Sequence, residues 1–332
     1  LFAELKKASP LPVGKNSYFT HIGLNLLSLV PFSKNRKKIK SILSESDLVL
    51  IKNELFELLF YFLLRARTNS YVMVFSSIQY QDPKSLRSFL HNLIYSSFIY
   101  KYLLKKIGRA VVSNSFDRDL LVENFGLKKE KVYLIPYGLE KKYFADEGEL
   151  KPKKGFEILF VGRMEEQKGL LYLKQIVDKL NKDNSFKKIS FWLAGSGPLE
   201  NTPKSLAGKY DNVEYKGQLS PSQVRELYLQ SDLVIIPSKW ETFSYVCLEA
   251  QACGVPVVSF DIPGPRDILS KTNGGKLVPL GDTKYFIKAI CSYCLKKNKD
   301  RLEYLNLRRK IAKSTFENFS LEKTANQLIN LF

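Results

Sequence analysis

From about residue 157 onward, short unbroken apolar runs alternate with longer segments whose apolar side chains recur every three or four positions. The runs at 157–161, 189–194, 233–237 and 255–260 have the length and composition of strands buried on both faces, and 213–216 is read as a further strand. Between 169 and 180, Leu170, Leu173, Ile176, Val177 and Leu180 fall at helical spacing and predict an amphipathic helix. Another is predicted behind Ser220-Pro221-Ser222-Gln223, a capping box with proline at the first helical position. Further helices are expected near 283–297, at 301–316 and at 321–332 behind Ser320. The central stretch, Asp232 to Phe260, reads as a strand, a polar loop, a short helix ended by Gly254, and a second strand. That is the size of a βαβ unit, so the expected class is α/β with parallel sheets.

The first half is less regular. Strands are expected at 47–51, 71–76, 109–113 and 131–136, with a helix at 116–125 capped by Ser115 and closed by Gly126. Residues 86–107 form one long helical pattern carrying Leu86, Phe89, Leu90, Leu93, Ile94, Phe98, Tyr102 and Leu103, with Lys101, Lys105, Lys106 and Arg109 at its end. The pattern suits a core helix whose last turn sets cations against the dipole, and it also suits an interfacial helix on an anionic membrane. The core reading is the one we carry forward. Residues 145–156 hold charge, Gly and Pro without periodicity, as a linker would.

The 332 residues exceed one typical domain, and 45% hydrophobic content excludes disorder. The formal charge of +19 is uneven: residues 1–110 carry 17 Lys/Arg against 6 Asp/Glu, and the other 222 carry 35 against 27. A basic first half suits nucleic acid, an anionic leaflet or an anionic substrate, or simply confers solubility. No motif for reading nucleic acid accompanies it, so no nucleic-acid partner is expected. The four cysteines do not form a disulfide framework, and Cys291-x-x-Cys294 has no second ligand pair, so no zinc site is expected. The longest apolar run, 55–64, contains Glu57 and is too short to span a bilayer. We therefore expect a reduced, cytoplasmic protein, with the basic half able to dock on the inner face of a membrane.

Candidate chemistry gathers at strand ends. Glu241 and Glu249, eight residues apart, flank the start of the helix in the central unit. The loop Glu241–Ser244 lies at the carboxyl end of a parallel strand and at a helix N-terminus, where α/β sheets favour anions. Arg163 follows Gly162 at another strand tip, and Lys168 precedes Gly169 at a helix start. Gly195 and Gly197 permit a tight turn, and Gly217-Gln218-Leu219 closes the next strand.

E-x7-E followed by Cys-Gly-Val-Pro-Val-Val resembles the signature of retaining glycosyltransferases of the type B fold, family 4 (glycosyl transferases group 1). The segments EILFVGRMEEQKG (157–169), ISFWLAGSGP (189–198), NVEYKGQLSP (212–221) and GGKLVPLGD (274–282) resemble the same family in order and spacing. The resemblance covers about residues 105–332; the first third is only vaguely similar. It implies two Rossmann-like domains facing across a cleft. Residues 1–144 would bind the acceptor, 145–156 link, 157–316 bind a nucleotide-sugar, and a helix at 317–332 cross back and bury Leu328, Ile329 and Leu331. No glycine-rich loop precedes residue 47, since Gly14 and Gly23 stand alone, so the first βα unit of that family is expected to be missing or diverged.

By the same resemblance, the donor is a nucleoside-diphosphate-sugar and the acceptor a glycan or lipid-linked hydroxyl, with no metal and no other cofactor. Arg163 and Lys168 would stabilise the leaving phosphate, Glu241 would hold hydroxyls of the transferred sugar, and Glu249 would hold the ribose. Gly162, Gly195, Gly197, Gly217, Leu219, Thr242, Phe243, Ser244, Tyr245 and Val246 would complete the donor site. Two departures stand out. Thr242-Phe243-Ser244 replaces the commoner Gly-Phe-Gly, which leaves less room beside the donor sugar. Ser77-Ile78-Gln79-Tyr80 lacks the histidine many members carry there, leaving Gln79 or Tyr80 to orient the sugar, while His91 reads as structural. A nucleotide-sugar isomerase or hydrolase, and a non-catalytic sugar-nucleotide-binding subunit, are the alternatives.

Overall fold

The computed structural model describes residues 41, 49–52, 55–63, 70–74, 86–183 and 189–331. The chain divides into two compact units, Leu1–Tyr137 with Thr324–Phe332, and Gly138–Lys323. The basic run 33–40, Gly14, Gly23, the region of an expected first βα unit and the segment with Gln79 and Tyr80 lie outside the described residues.

In the first unit, β1 (Val49–Lys52), β2 (Ser70–Val74), β3 (Ala110–Val112) and β4 (Val132–Leu134) form a parallel sheet in sequential order. The helices are α1 (Leu55–Leu63), α2 (Leu86–Ser96), α3 (Phe98–Ile107) and α4 (Ser115–Glu123). Leu58, Tyr100, Leu104, Val112, Leu121 and Phe125 pack together as the core. The single helix expected over 86–107 is two. Ser97 adopts an extended conformation, and its hydroxyl accepts from the Tyr100 amide at 3.3 Å as the N-cap of α3. The core reading of this segment is also corrected. Leu103 is buried, but Leu86, Phe89, Leu90, Leu93, Ile94, Phe98 and Tyr102 are exposed. Asn114 rather than Ser115 caps α4, accepting from the Asp117 amide at 2.8 Å.

The second unit runs β5 (Phe156–Val161), α5 (Leu170–Lys182), β6 (Ile189–Ala194), α6 (Asn201–Lys209), β7 (Val213–Gly217), α7 (Pro221–Gln230), β8 (Leu233–Ile236), α8 (Tyr245–Ala252), β9 (Val257–Phe260), α9 (Pro263–Thr272), β10 (Gly275–Val278), α10 (Thr283–Lys299) and α11 (Arg301–Phe319). Its parallel sheet has the order β10-β9-β8-β5-β6-β7. The winding reverses between β5 and β8, and in doubly wound sheets the crevice for a ligand opens outside the carboxyl ends of the strands at that point. The predicted capping box of α7 is present. Helices α6 and α9 were not read from the sequence: Pro203 sits inside α6, and Gly264 and Pro265 open α9, which masks the helical pattern.

Beneath the sheet's opposite end lies a buried polar knot. Asp232 pairs with Lys297 at 2.6 Å, both side chains being under 5% exposed. Asp232 also accepts from the Glu157 amide at 2.9 Å, and Lys297 donates to the Gly155 carbonyl at 2.9 Å. Arg308, also buried, donates to the carbonyls of Leu229, Cys253 and Gly254, around the ends of α7 and α8. Residues 145–156 belong to this unit. Leu150 is buried, the Ala145 amide donates to the Ala252 carbonyl at 2.9 Å, and Arg225 forks onto Glu149. Charge and glycine alone gave the look of a linker; the local contacts anchor it. The last helix, α12 (Leu321–Ile329), joins the first unit from Thr324, whose hydroxyl donates to the Pro136 carbonyl at 3.0 Å. Leu328 is buried, whereas Ile329 and Leu331 are half-buried, because the helix ends before them or at them.

Candidate active site

The strand ends at the switch point are stitched together by glycine. The Gly162 amide donates to the Ala194 carbonyl at 3.1 Å, and the Gly195 amide to the Gly217 carbonyl at 2.7 Å. A Cβ on Gly195, which has φ +127°, would lie 1.9 Å from the Gly162 oxygen. Glycine is therefore required at position 195, where the end of β6 meets the end of β5. Gly169 plays the same role on the other side. It starts α5 at φ +72°, and a Cβ there would meet the Pro237 carbonyl oxygen at 1.8 Å. This close approach sets Lys168, on the loop before α5, against the loop that follows β8.

The consequence is a direct pair. Lys168 Nζ lies 2.7 Å from Glu241 Oε1, and the Ser238 hydroxyl donates to the same oxygen at 2.9 Å. Both charged side chains are mostly buried. Their roles were read separately from the sequence; the structure brings them together. Arg163 is different. Its side chain is 73% exposed at the tip of β5 and pairs with Glu165 at 3.3 Å.

The loop from Glu241 to Ser244 closes onto α8. Phe243 is buried and meets exposed Tyr245 edge-to-face at 5.4 Å, while Thr242 and Val246 are half-buried. Ser244 caps α8 from a left-handed conformation, φ 70° and ψ 78°, its hydroxyl accepting from the Cys247 amide at 3.4 Å. Left-handed backbone is strained for a residue with a Cβ, so the family's usual glycine has a geometric reason here. Four residues on from Tyr245, Glu249 forms part of the wall of a cavity of about 220 Å³, with Leu219, Val161, Tyr228 and Arg225. The Tyr228 hydroxyl donates to Glu249 Oε2 at 3.2 Å. Burial pushes the Glu249 carboxyl above its ordinary value, against the lowering effect of that hydrogen bond. Gly197 approaches the Met164 backbone within 2.8 Å of a would-be Cβ, and Gly217 turns the end of β7 at φ +66°.

Chemically, the switch point offers an exposed cation, a cation held by a carboxylate, a helix N-terminus, and a cavity with a half-buried carboxylate. Together these suit an anionic ligand bearing hydroxyl groups. The family model of glycosyl transferases group 1 matches residues 142–315, more than half of the chain. The chain belongs to that family. Among relatives, a UDP-Gal:α-D-GlcNAc-diphosphoundecaprenol α-1,3-galactosyltransferase of Escherichia coli is 26% identical over 207 residues, 58% of this chain and 54% of that protein. A glycosyltransferase from Rickettsia africae superimposes with TM-score 0.70 at 22% identity, over 94% of this chain and 83% of that one. HepE of Anabaena, solved in complex with UDP, gives TM-score 0.68 at 16% identity, over 89% and 80%. These likenesses show the type B fold of two Rossmann-like units. The chain spans about half the length of the curated relatives it matches.

Several parts of the site of this group 1 chain escaped the sequence reading. Ser238 and Tyr228 hold the two glutamates, yet each is an ordinary residue of a strand end or a helix. Gly264 donates its amide to the Glu241 carbonyl at 3.2 Å, and a Cβ there would lie 2.5 Å from the Phe243 carbonyl. Its place in Pro263-Gly264-Pro265, immediately after a strand, was the available signal. All four cysteines are free thiols; burial pushes Cys253 up to about 12 and Cys291 up to about 11. Among the described residues, no group of three or more His, Cys, Asp or Glu converges.

Proposed function

We propose that the chain is a retaining, metal-independent glycosyltransferase of family 4 that moves a sugar from a nucleoside-diphosphate-sugar to a hydroxyl of a glycan or lipid-linked acceptor. The work it serves is the synthesis of surface polysaccharide or glycolipid. The observation that carries this reading is the Lys168–Glu241 pair at the switch point. It supports the reading because the cation that would meet a leaving phosphate and the carboxylate that would hold sugar hydroxyls are in contact.

In this reading the diphosphate lies between Arg163, Lys168 and the N-terminus of α8. The ribose reaches Glu249 through its vicinal hydroxyls, and the base enters the cavity beside Leu219. The bond between the sugar's C1 and the β-phosphate oxygen breaks. A bond from C1 to the acceptor oxygen forms on the same face, and the acceptor's proton passes to the departing phosphate oxygen. The positive charges act because charge accumulates on that oxygen in the transition state. Two cations, Lys168 held in place and Arg163 ordered by the ligand, would hold the diphosphate without a metal. Thr242-Phe243-Ser244, with the Ser244 side chain where glycine is usual, narrows the space beside the sugar and would help choose it. The first unit would bind the acceptor.

The E. coli relative's name specifies UDP-Gal and a lipid-linked acceptor, and HepE binds UDP. UDP is therefore the first nucleotide to test. It is expected to raise the melting temperature equally with and without EDTA. Lys168→Met should lower kcat by about 10²–10³ with a smaller change in KM. A UDP shift abolished by EDTA would refute the metal-free site. Turnover of UDP-sugars to free sugar or an isomer, with no transfer to any glycan or lipid-linked acceptor, would replace the transferase with a hydrolase or isomerase. Among the described residues no helix is long and apolar enough to cross a membrane.

A further inference from the structure

Helix α2 presents Leu86, Phe89, Leu90, Leu93 and Ile94 at the spacing i, i+3, i+4, i+7, i+8, and all five are exposed. An amphipathic helix ordinarily turns such a stripe toward a core. Here the opposite positions, His91, Asn92 and Tyr95, are the half-buried ones. The stripe continues into α3 as exposed Phe98, Ile99 and Tyr102, with Phe98 at 82% exposure, while Tyr100, Leu103 and Leu104 point into the core. Leu86, Leu90 and Ile94 border an open apolar groove of about 590 Å³. A contiguous patch with helical period is a docking surface rather than scattered exposure.

The charge beside it names the partner. From Pro83 to Phe116 the sequence carries Lys84, Arg87, Lys101, Lys105, Lys106 and Arg109 and not one Asp or Glu. Lys105 and Lys106 are exposed on the last turn of α3, and Lys106 Nζ lies 5.4 Å from the Tyr102 ring centre. Aliphatic and aromatic side chains followed by lysines are the composition of a helix lying in the interface of an anionic bilayer. A protein partner fits less well, because interface cores are poor in lysine. A self-complementary dimer would oppose these cations to their own copies.

We propose that the exposed face of α2 and α3 docks on an anionic lipid surface, with the apolar stripe entering the headgroup boundary and Lys105 and Lys106 meeting lipid phosphates. The proposal stands apart from the transferase reading, because lipid binding is measured without donor or acceptor.

The test is co-sedimentation of the full chain with phosphatidylcholine vesicles, with and without phosphatidylglycerol. The wild type is expected to bind the anionic vesicles strongly and the neutral ones weakly. Lys105→Glu/Lys106→Glu should weaken anionic binding by at least about thirtyfold. Leu93→Glu/Phe98→Glu should weaken it by about a hundredfold or more. Both variants should keep the UDP-induced thermal shift of the wild type, which separates failure of this proposal from failure of the donor site. Failure of the wild type to bind anionic vesicles overturns the proposal, as does wild-type binding by both variants. A dimeric wild type that Leu93→Glu/Phe98→Glu converts to a monomer overturns it too, giving the face to a second copy. If the apolar variant does not fold, the lysine variant decides, since its substitutions lie at exposed positions.

Discussion

Replacing Glu249 with glutamine separates what this residue does for a ligand from what it does to the fold. Its carboxyl forms part of a cavity wall, with the Tyr228 hydroxyl 3.2 Å away, and burial raises its pKa above the ordinary 4.5. A raised carboxyl pKa means that the folded chain holds this proton more tightly than the unfolded chain does. The resulting stability is fully present in acid and is lost as pH rises from 4.5 through the raised value. At about pH 7 the partly desolvated charge therefore works against the ligand-free fold. Glutamine keeps the shape and still accepts from Tyr228, but carries no charge. Glu249→Gln should melt above the wild type at neutral pH, and the difference should close as pH falls toward 4.5.

Ligand binding should move the other way. Two vicinal ribose hydroxyls donating to a carboxylate rather than an amide oxygen each gain about 1 kcal/mol, the gap between charged and neutral hydrogen bonds. The variant should lose ~2 kcal/mol, or about thirtyfold in UDP affinity. Calorimetric titration of UDP at one pH measures the affinity, and melts across pH measure the fold. A variant that melts below the wild type at neutral pH would refute the account of burial. UDP affinity within about a factor of three of the wild type would refute the role in ribose binding. Alanine is the poorer probe, because it strands the buried Tyr228 hydroxyl at a cost of about 1–3 kcal/mol.

Two further outcomes follow from the second unit. Lys297→Met leaves the Asp232 carboxylate buried without its closest cation and should cost about 3–5 kcal/mol, lowering the melting temperature by about 10 °C or more; a melt indistinguishable from the wild type would show that the pair contributes little. At Ser244, alanine keeps the left-handed backbone and loses the cap on the Cys247 amide, for about 1 kcal/mol. Glycine loses the same cap but relieves the backbone, so Ser244→Gly should melt above Ser244→Ala. The reverse order would mean that the conformation carries no strain.

What was legible in the chain was whatever is decided within about thirty residues. The apolar strands, the capping box at Ser220 and the βαβ frame around Glu241 and Glu249 are local agreements between propensity and pattern, and each appears where the sequence put it. The exposed stripe of α2 was not legible in this way. Periodicity shows that a helix has an apolar face, but only the packing of Tyr100, Leu104 and Phe125 shows which face the core takes. The break at Ser97 was hidden for a related reason, because the apolar period runs on through a residue that caps a new helix.

The functional site divides along the same line. Residue types and positions at the strand ends could be read, whereas the pairing of Lys168 with Glu241, 73 residues apart, could not. Nor could the contact that enforces it, the approach of Gly169 to the Pro237 carbonyl. That contact bears on the proposed catalysis. A lysine held by Glu241, whose carboxylate also accepts from the Ser238 hydroxyl, is positioned before any ligand arrives, so little reorganisation is left for the moment when negative charge grows on a leaving phosphate. Arg163, exposed and paired among the described residues with its neighbour Glu165, would have to be ordered by the ligand itself. The two cations should thus contribute unequally. In the proposed reaction Lys168 should supply preorganised stabilisation felt in kcat and Arg163 binding felt in KM, a division that steady-state kinetics of Lys168→Met and Arg163→Met can read directly.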